Sequence, residues 1–337
     1  MKSPFTGGSA YLEQTWRTER FRREAFHVFV TRFVCEETGE PFTTEEQDQL
    51  VQTQIHNQYR SLHRIPFPAE INSLRESYGL SAAKMSEVLD FGINSYRQYE
   101  MGEIPALANA KLIRLAEKPE NMLAFAQEKK SIFSANAYKK LILRIEELIH
   151  MPRESEGELM TYLWNSHTEA NSFTGFVKPN FKKVANFVLF FAEQVKPMKT
   201  KLNKLLFYAD FSHFQQTGFA ISGCNYRAIQ HGPVPSHFRE LFGILESKGY
   251  VNIESTILEH GEGERFLPGQ SFDDSLFTEK ELAHMRAVAN RFGEMRSREL
   301  VEMSHQEKGW EVNQEKRKLI DYQAHAFELV GTNPNED

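Results

Sequence analysis

The chain has only two cysteines in 337 residues, Cys35 and Cys224, and they lie far apart. That excludes a disulfide framework and fits a reducing compartment. No apolar run reaches the ~18 residues a membrane helix needs, and the N-terminus holds no signal-peptide core, so a cytoplasmic protein is expected. A positive excess is missing as well. The formal net charge of −6 is a poor match to nonspecific nucleic-acid coating, although it leaves room for a local basic face. In sequence order there is no phosphate loop, no nucleophile–base–orienter set and no metal-ligand spacing, so no catalysis, cofactor or metal is expected. Aromatic residues, in contrast, are abundant. They make up 12% of the chain, with 27 Phe, and hydrophobic residues make up 40%, which is enough to fill the cores of two domains or more.

Residues 201–243 are the stretch around which the remainder is organised. Leu202, Leu205, Leu206 and Ala209 recur at helical spacing, and Gly218 suits the helix end. A strand-like run follows from Ala220 to Gln230. His231-Gly232-Pro233-Val234-Pro235 then reads as the end of that strand, with Pro235 placed to start a new helix whose buried face is Phe238, Leu241, Phe242 and Leu245. His213, His231 and His237 have no paired cysteine and fit no common zinc spacing, so they are read as hydrogen-bonded structural residues.

The segments KLNKLLFYADFSHFQQTG and QHGPVPSHFRELF resemble the signature of the Panacea domain, found in antitoxins of bacterial and phage toxin–antitoxin pairs. ELVEMSHQEKGW (299–310) and LIDYQAHAF (319–327) continue the resemblance, which spans residues 175–330. It implies an antitoxin whose cognate toxin is encoded nearby, in a family paired with unrelated toxin classes that include translation inhibitors and small alarmone synthetases. Neutralisation without chemistry must come from binding energy. Lys201, Lys204, Tyr208, Asp210, His231 and Val234 are the expected toxin contacts, since Pro- and Gly-fixed turns lose little entropy on binding and Tyr is favoured at hot spots. The sequence alone leaves open whether Tyr208 fills the core and whether Gly232 and Pro233 only shape the fold.

At the N-terminus, Tyr11–Arg20 and Ala25–Val34 read as paired strands with Phe26, Val28 and Val30 inward. Ser3, Thr6, Cys35 and Thr38 stand at the spacing of two C-x-x-C knuckles, and with PFTT (41–44) they resemble the zinc ribbon of the MqsA-type antitoxin family. With hydroxyls at three of the four positions, the spacing is kept and the zinc site is expected to be lost. So small a sheet then needs something to pack on.

In the middle of the chain, Thr44–Leu62 reads as a helix ended by Pro66 and Pro68. Ser81 is an N-cap for a helix carrying Met85, Val88 and Leu89. Asp90-Phe91-Gly92 is a turn, and Ile93–Met101 is a second short helix, a helix-turn-helix pattern. SYRQYEMGEIP resembles the recognition end of the same MqsA-type family. Tyr99 is read as core, and Asn94, Ser95, Arg97 and Gln98 as DNA-binding residues, because Asn and Gln can pair with adenine and Arg with guanine. Residues 64–118 carry seven basic and seven acidic residues, a neutral balance that works against DNA affinity.

The expected fold is α+β and mostly α, with a small N-terminal β ribbon, a helix-turn-helix middle and a mainly helical C-terminal domain holding a short β hairpin. The expected domains are 1–62, 63–118, a helical bridge and linker over 119–174, and 175–330, with GTNPNED as a solvated tail. The hairpin is expected at Val251–Leu258 and Arg265–Pro268 around a Glu262-Gly263 turn, and helices at Glu279–Phe292, Arg298–Ser304 and Lys318–Val330. The partners implied are the toxin, operator DNA and a second copy of the chain, with no membrane. The alternative function is a ligand-sensing transcriptional regulator with no toxin partner.

Overall fold

The computed structural model describes residues 1–151, 159, 161–164, 168–258 and 261–331. Strands β1 (Ala10–Phe21) and β2 (Glu24–Cys35) form one long antiparallel hairpin, with Ala10 opposite Cys35 and Phe21 opposite Glu24. The short β3 (Pro41–Phe42) pairs with Phe33 and Val34 of β2. Helix α1 (Glu45–His63) follows, with Glu45, Glu46 and Asp48 in its first turn, where carboxylates favour the positive end of the helix dipole. Phe26, Val28 and Val30 are buried, as the alternation predicts.

Helices α2 (Pro68–Ser77), α3 (Ala82–Val88), α4 (Ser95–Glu100), α5 (Leu107–Ala116), α6 (Pro119–Glu128) and α7 (Ala135–His150) come next. With the end of α1 they make a compact unit over residues 56–157. Ser81 caps α3 by accepting from Lys84 N, and Ser134 caps α7 by accepting from Ala137 N. The core of this unit holds Met85, Val88, Leu89, Met122, Ala126, Leu141 and Ile145, residues that repeat at helical spacing. Tyr96 and Tyr99 are buried between the helices, and Tyr96 Oη donates to Ile71 O at 2.9 Å.

The other unit joins residues 1–55 to residues 158–337. Its later elements are α8 (Phe181–Gln194), α9 (Lys199–Thr217), β4 (Tyr226–Ile229), β5 (Gly232–Pro235), α10 (Phe238–Ser247), β6 (Val251–Leu258), β7 (Gly261–Pro268), α11 (Glu279–Phe292), α12 (Ser297–His305), α13 (Lys308–Glu311), β8 (Leu319–Ile320) and α14 (Tyr322–His325). The fold is α+β and mostly α. A three-stranded sheet runs in the order β5-β4-β8, and β6 pairs with β7 in a separate hairpin. Among the described residues, no helix is long and apolar enough to cross a membrane.

Three local expectations are corrected. Gly232-Pro233-Val234-Pro235 does not stop the chain but returns it as β5, antiparallel to Tyr226–Ile229. Prolines are tolerated there because β5 is at the sheet edge, where a missing N–H breaks no ladder bond. The segment Lys318–Val330 is not one helix, since Leu319 and Ile320 pair with Arg227 and Tyr226, and Asp321 then caps α14 by accepting from Ala324 N. Glu262 and Gly263 lie inside the β6–β7 ladder, opposite Ile257 and Thr256, rather than at its turn. Much of the expected linker and all of the tail beyond Gly331 lie outside the described residues, and Gly331 itself is buried.

The N-terminal ribbon finds its packing partner inside its own unit. Phe327 is stacked on Phe29 at 5.4 Å and meets Trp16 edge-on at 6.1 Å. It also meets Phe214 of α9 at 5.6 Å. Gln323 Nε2 donates to Gln54 Oε1 at 2.9 Å and to His27 O at 3.3 Å, while Gln54 exchanges two 2.8 Å bonds with the Phe29 backbone.

Candidate functional site

Helix α9 is buried on every side from Leu202 to Phe214, not along one face as its apolar spacing suggests. A helix enclosed all round must satisfy its polar side chains internally, and here they find partners, apart from Asn203 Oδ1, which has none among the described residues. Asp210 accepts from Ile221 N and Ser222 N at 2.8 Å each, from Ser222 Oγ at 2.5 Å and from Tyr226 Oη at 2.7 Å. Burial raises its pKa, and these donors act against that rise. The effect is to tie the chain after Gly218 and the first residue of β4 to the helix. Gly218 itself takes the left-handed conformation that ends α9 (φ +76°).

Lys204, also fully inside, donates to Pro233 O at 2.9 Å, and burial pushes its pKa down to about 7. Gly232 has to be glycine. A Cβ there would lie 2.3 Å from Ser304 Oγ and 2.6 Å from Lys204 Nζ, and its φ is +92°. Tyr208 Oη donates to Glu307 Oε1 at 3.0 Å. The buried Glu307 carboxylate also accepts from Val330 N and Gly331 N at 3.0 Å each, and so pins the end of the described chain over Tyr208.

The expected toxin contacts therefore divide in two. Lys204, Tyr208, Asp210 and Val234 are buried, and their side chains are committed to the interior. This corrects their reading as surface contacts: the aromatic and polar residues of α9 are the core of the domain. Lys201 is half-buried, with Nζ on Gly293 O, and His231 is exposed. His213 is a structural residue, with Nδ1 at 2.8 Å from Phe219 O.

One pair was not legible in the sequence. Ser212 Oγ lies 2.7 Å from His284 Nε2, across 72 residues of chain. The spacing is that of a nucleophile and its base, but Ser212 is buried in mid-helix and also bonds Tyr208 O, so no substrate reaches it. Burial, with His213 adding, lowers the His284 pKa to about 4, which keeps the imidazole neutral. A groove of about 590 Å³ was also invisible in the sequence. It lies between the β6–β7 hairpin, the first turn of α9 and the length of α12, lined by Thr200, Ser255, Glu264, Ser297, Arg298 and His305 among others.

In the 56–157 unit, Asn94, Arg97 and Gln98 are exposed and Ser95 is half-buried, while Tyr96 and Tyr99 face inward. The four candidates are thus brought together on the outer side of α4 and the residue before it.

At the N-terminus, the knuckle positions converge. Thr6 Oγ1 is 3.6 Å from Cys35 Sγ, and hydrogen bonds from Ser3 and Thr38, with Thr6 adding, hold the Cys35 thiol down at about 6. One thiol among three hydroxyls is not a zinc donor set, because neutral hydroxyls are weak ligands beside thiolates. Among the described residues, no group of three or more His, Cys, Asp or Glu stands ready for a metal.

No curated protein and no solved structure matches the chain. Residues 202–311, from the buried helix α9 to α13, match the family model described as "Antitoxin SocA-like, Panacea domain", and this match supports an antitoxin-type role.

Proposed function

We propose that the chain is the antitoxin of a toxin–antitoxin pair, neutralising its cognate toxin by direct binding through residues 175–330. The observation that carries this reading is the match of residues 202–311 to an antitoxin domain model. In this reading α9 and the β4–β5 hairpin are scaffold, and the toxin meets what they display: His231 at the hairpin turn, Lys201 and the exposed side of α12 with Arg298 and Glu302. Complementary charges on such a surface set specificity and association rate more than affinity. The test is co-expression with the neighbouring open reading frame. Toxicity that disappears when this chain is present is expected. A neighbour that is harmless, or that stays toxic beside soluble antitoxin, overturns the reading.

A second part of the proposal is autorepression, with Asn94, Ser95, Arg97 and Gln98 reading bases from the exposed side of α4 as a helix-turn-helix. Arg97→Ala should weaken binding to the upstream DNA by about 1–3 kcal/mol at the specific site. Unchanged affinity would remove α4 as the reader. The alternative, a ligand-sensing regulator, draws its support from the 590 Å³ groove with its hydroxyl and imidazole lining. It requires a small molecule that shifts DNA binding while no toxin exists.

A further inference from the structure

The tip of the β1–β2 ribbon combines two unusual features. Its two-residue turn is Arg22-Arg23, with φ +46° and +72°, between the paired residues Phe21 and Glu24. Two successive left-handed residues are the type I′ pattern, for which Asn-Gly is the favoured pair, and arginine is disfavoured at both places. Strained backbone that persists at an exposed tip points to a function for the side chains it carries. The second feature is charge. Arg17, Arg20, Arg22 and Arg23 fall within seven residues of a chain whose net charge is −6. Arg20, Arg22 and Arg23 are exposed, and Arg17 is half-buried. Arg20 and Arg23 have no ion-pair partner among the described residues.

We propose that this ribbon tip is a DNA contact in its own right, entering the major groove of B-form DNA and holding its phosphates through arginine. Three observations select this occupant. The register places Arg20 opposite Ala25 on the outward face, where it continues the cations of the turn, whereas Arg17, opposite the buried Val28, lies on the inward face. A two-stranded ribbon fits the ~12 Å B-form major groove, while the major groove of duplex RNA is too narrow and deep. Arginine's fork binds phosphate in bidentate fashion. The contact is independent of α4, and it supplies positive charge that the neutral 64–118 segment lacks.

Arg22→Asn with Arg23→Gly tests this without disturbing the fold, because it installs the preferred turn while deleting two charges. Full-length protein is titrated into a labelled mixed-sequence duplex of about 20 base pairs at about 50 mM salt, and thermal unfolding is measured in parallel. The expected result is unchanged or higher thermal stability, about tenfold weaker duplex binding, and a log–log salt slope shallower by about two. Arg20→Gln, on the strand, should weaken binding about threefold, the share of one phosphate contact. The losses should persist when Asn94→Ala and Arg97→Ala are also present, which separates this contact from α4. Unchanged duplex affinity in both ribbon variants overturns the proposal. So does an absence of wild-type binding at low salt, equal binding of duplex RNA, or loss of toxin neutralisation with DNA binding intact.

Discussion

Asp210 and Lys204 lie six residues apart on the same buried helix, yet their surroundings differ. Asp210 has four donors around it, which act against the rise that burial imposes on its pKa. Asp210→Ala leaves those donors unpaired in the interior and should cost about 3 kcal/mol or more, read as a lower urea midpoint at unchanged slope. Among the described residues, Lys204 has one acceptor, Pro233 O, and no carboxylate beside it. Its pKa falls from 10.5 in the unfolded chain to about 7 in the fold. Below pH 7 both states carry the proton, so this group adds no slope. Between pH 7 and 10.5 the unfolded state binds the extra proton, and stability rises with pH. Lys204→Met should abolish that rise, which urea unfolding of both proteins at pH 7 and pH 9.5 checks against the other lysines and tyrosines as shared background. An equal rise in the variant would mean that the amine stays charged inside. The sequence marks these residue types but not their burial, because a Lys, a Tyr and an Asp on a helix look the same whether they face a partner or a core.

The β4–β5 hairpin and the ribbon show what was legible at the level of elements. Helix boundaries such as Glu279–Phe292 are readable because Thr278 caps with Glu281 in a capping box and the apolar residues repeat at helical spacing. The proline-rich return strand is not readable, since edge position is a property of the sheet and not of the segment. Gly232 carries the hairpin's tightest approach, so Gly232→Ala should destabilise by about 2 kcal/mol or more and lower the thermal midpoint by several degrees. Little change would show that Ser304 and Lys204 can move aside. In the ribbon, the spacing of Ser3, Thr6, Cys35 and Thr38 was legible, but not that the hydroxyls close around Cys35. That closure makes a direct prediction. Ser3→Cys, Thr6→Cys and Thr38→Cys together should bind zinc near one equivalent, while the wild-type chain purified without chelator binds none, as elemental analysis would read. Failure of the triple variant to take zinc would mean that the positions converge without tetrahedral geometry.

At the scale of the whole molecule, the compact unit that holds the antitoxin-like segment is discontinuous in sequence. The bond from Gln323 to His27 O spans 296 residues, and no local pattern records it. Phe327 is the joint: buried itself, it bridges Phe214 of α9 to Phe29 and Trp16 of the ribbon. A fragment containing only residues 175–330 keeps Phe327 and Gln323 but loses the ribbon that covers them. Exposing a buried Phe forfeits ~1.5–3 kcal/mol of burial, and each lost aromatic pair adds ~0.5–1.5 kcal/mol. Against a domain stability of ~5–15 kcal/mol, that loss is enough to make the fragment marginal. The fragment should therefore be poorly soluble alone and recover when residues 1–55 are co-expressed as a separate chain, with soluble yield and cooperative thermal unfolding as the readouts. Phe327→Ala in the full chain should lower the unfolding free energy by the ~3–5 kcal/mol typical of a buried phenylalanine. A fragment that unfolds cooperatively without the ribbon, together with a Phe327→Ala chain of unchanged stability, would mean that the ribbon rests on the domain without supporting it. Toxin rescue by that fragment would then place neutralisation wholly within the C-terminal segment, whereas rescue only with the ribbon present would make the ribbon part of the neutralising fold.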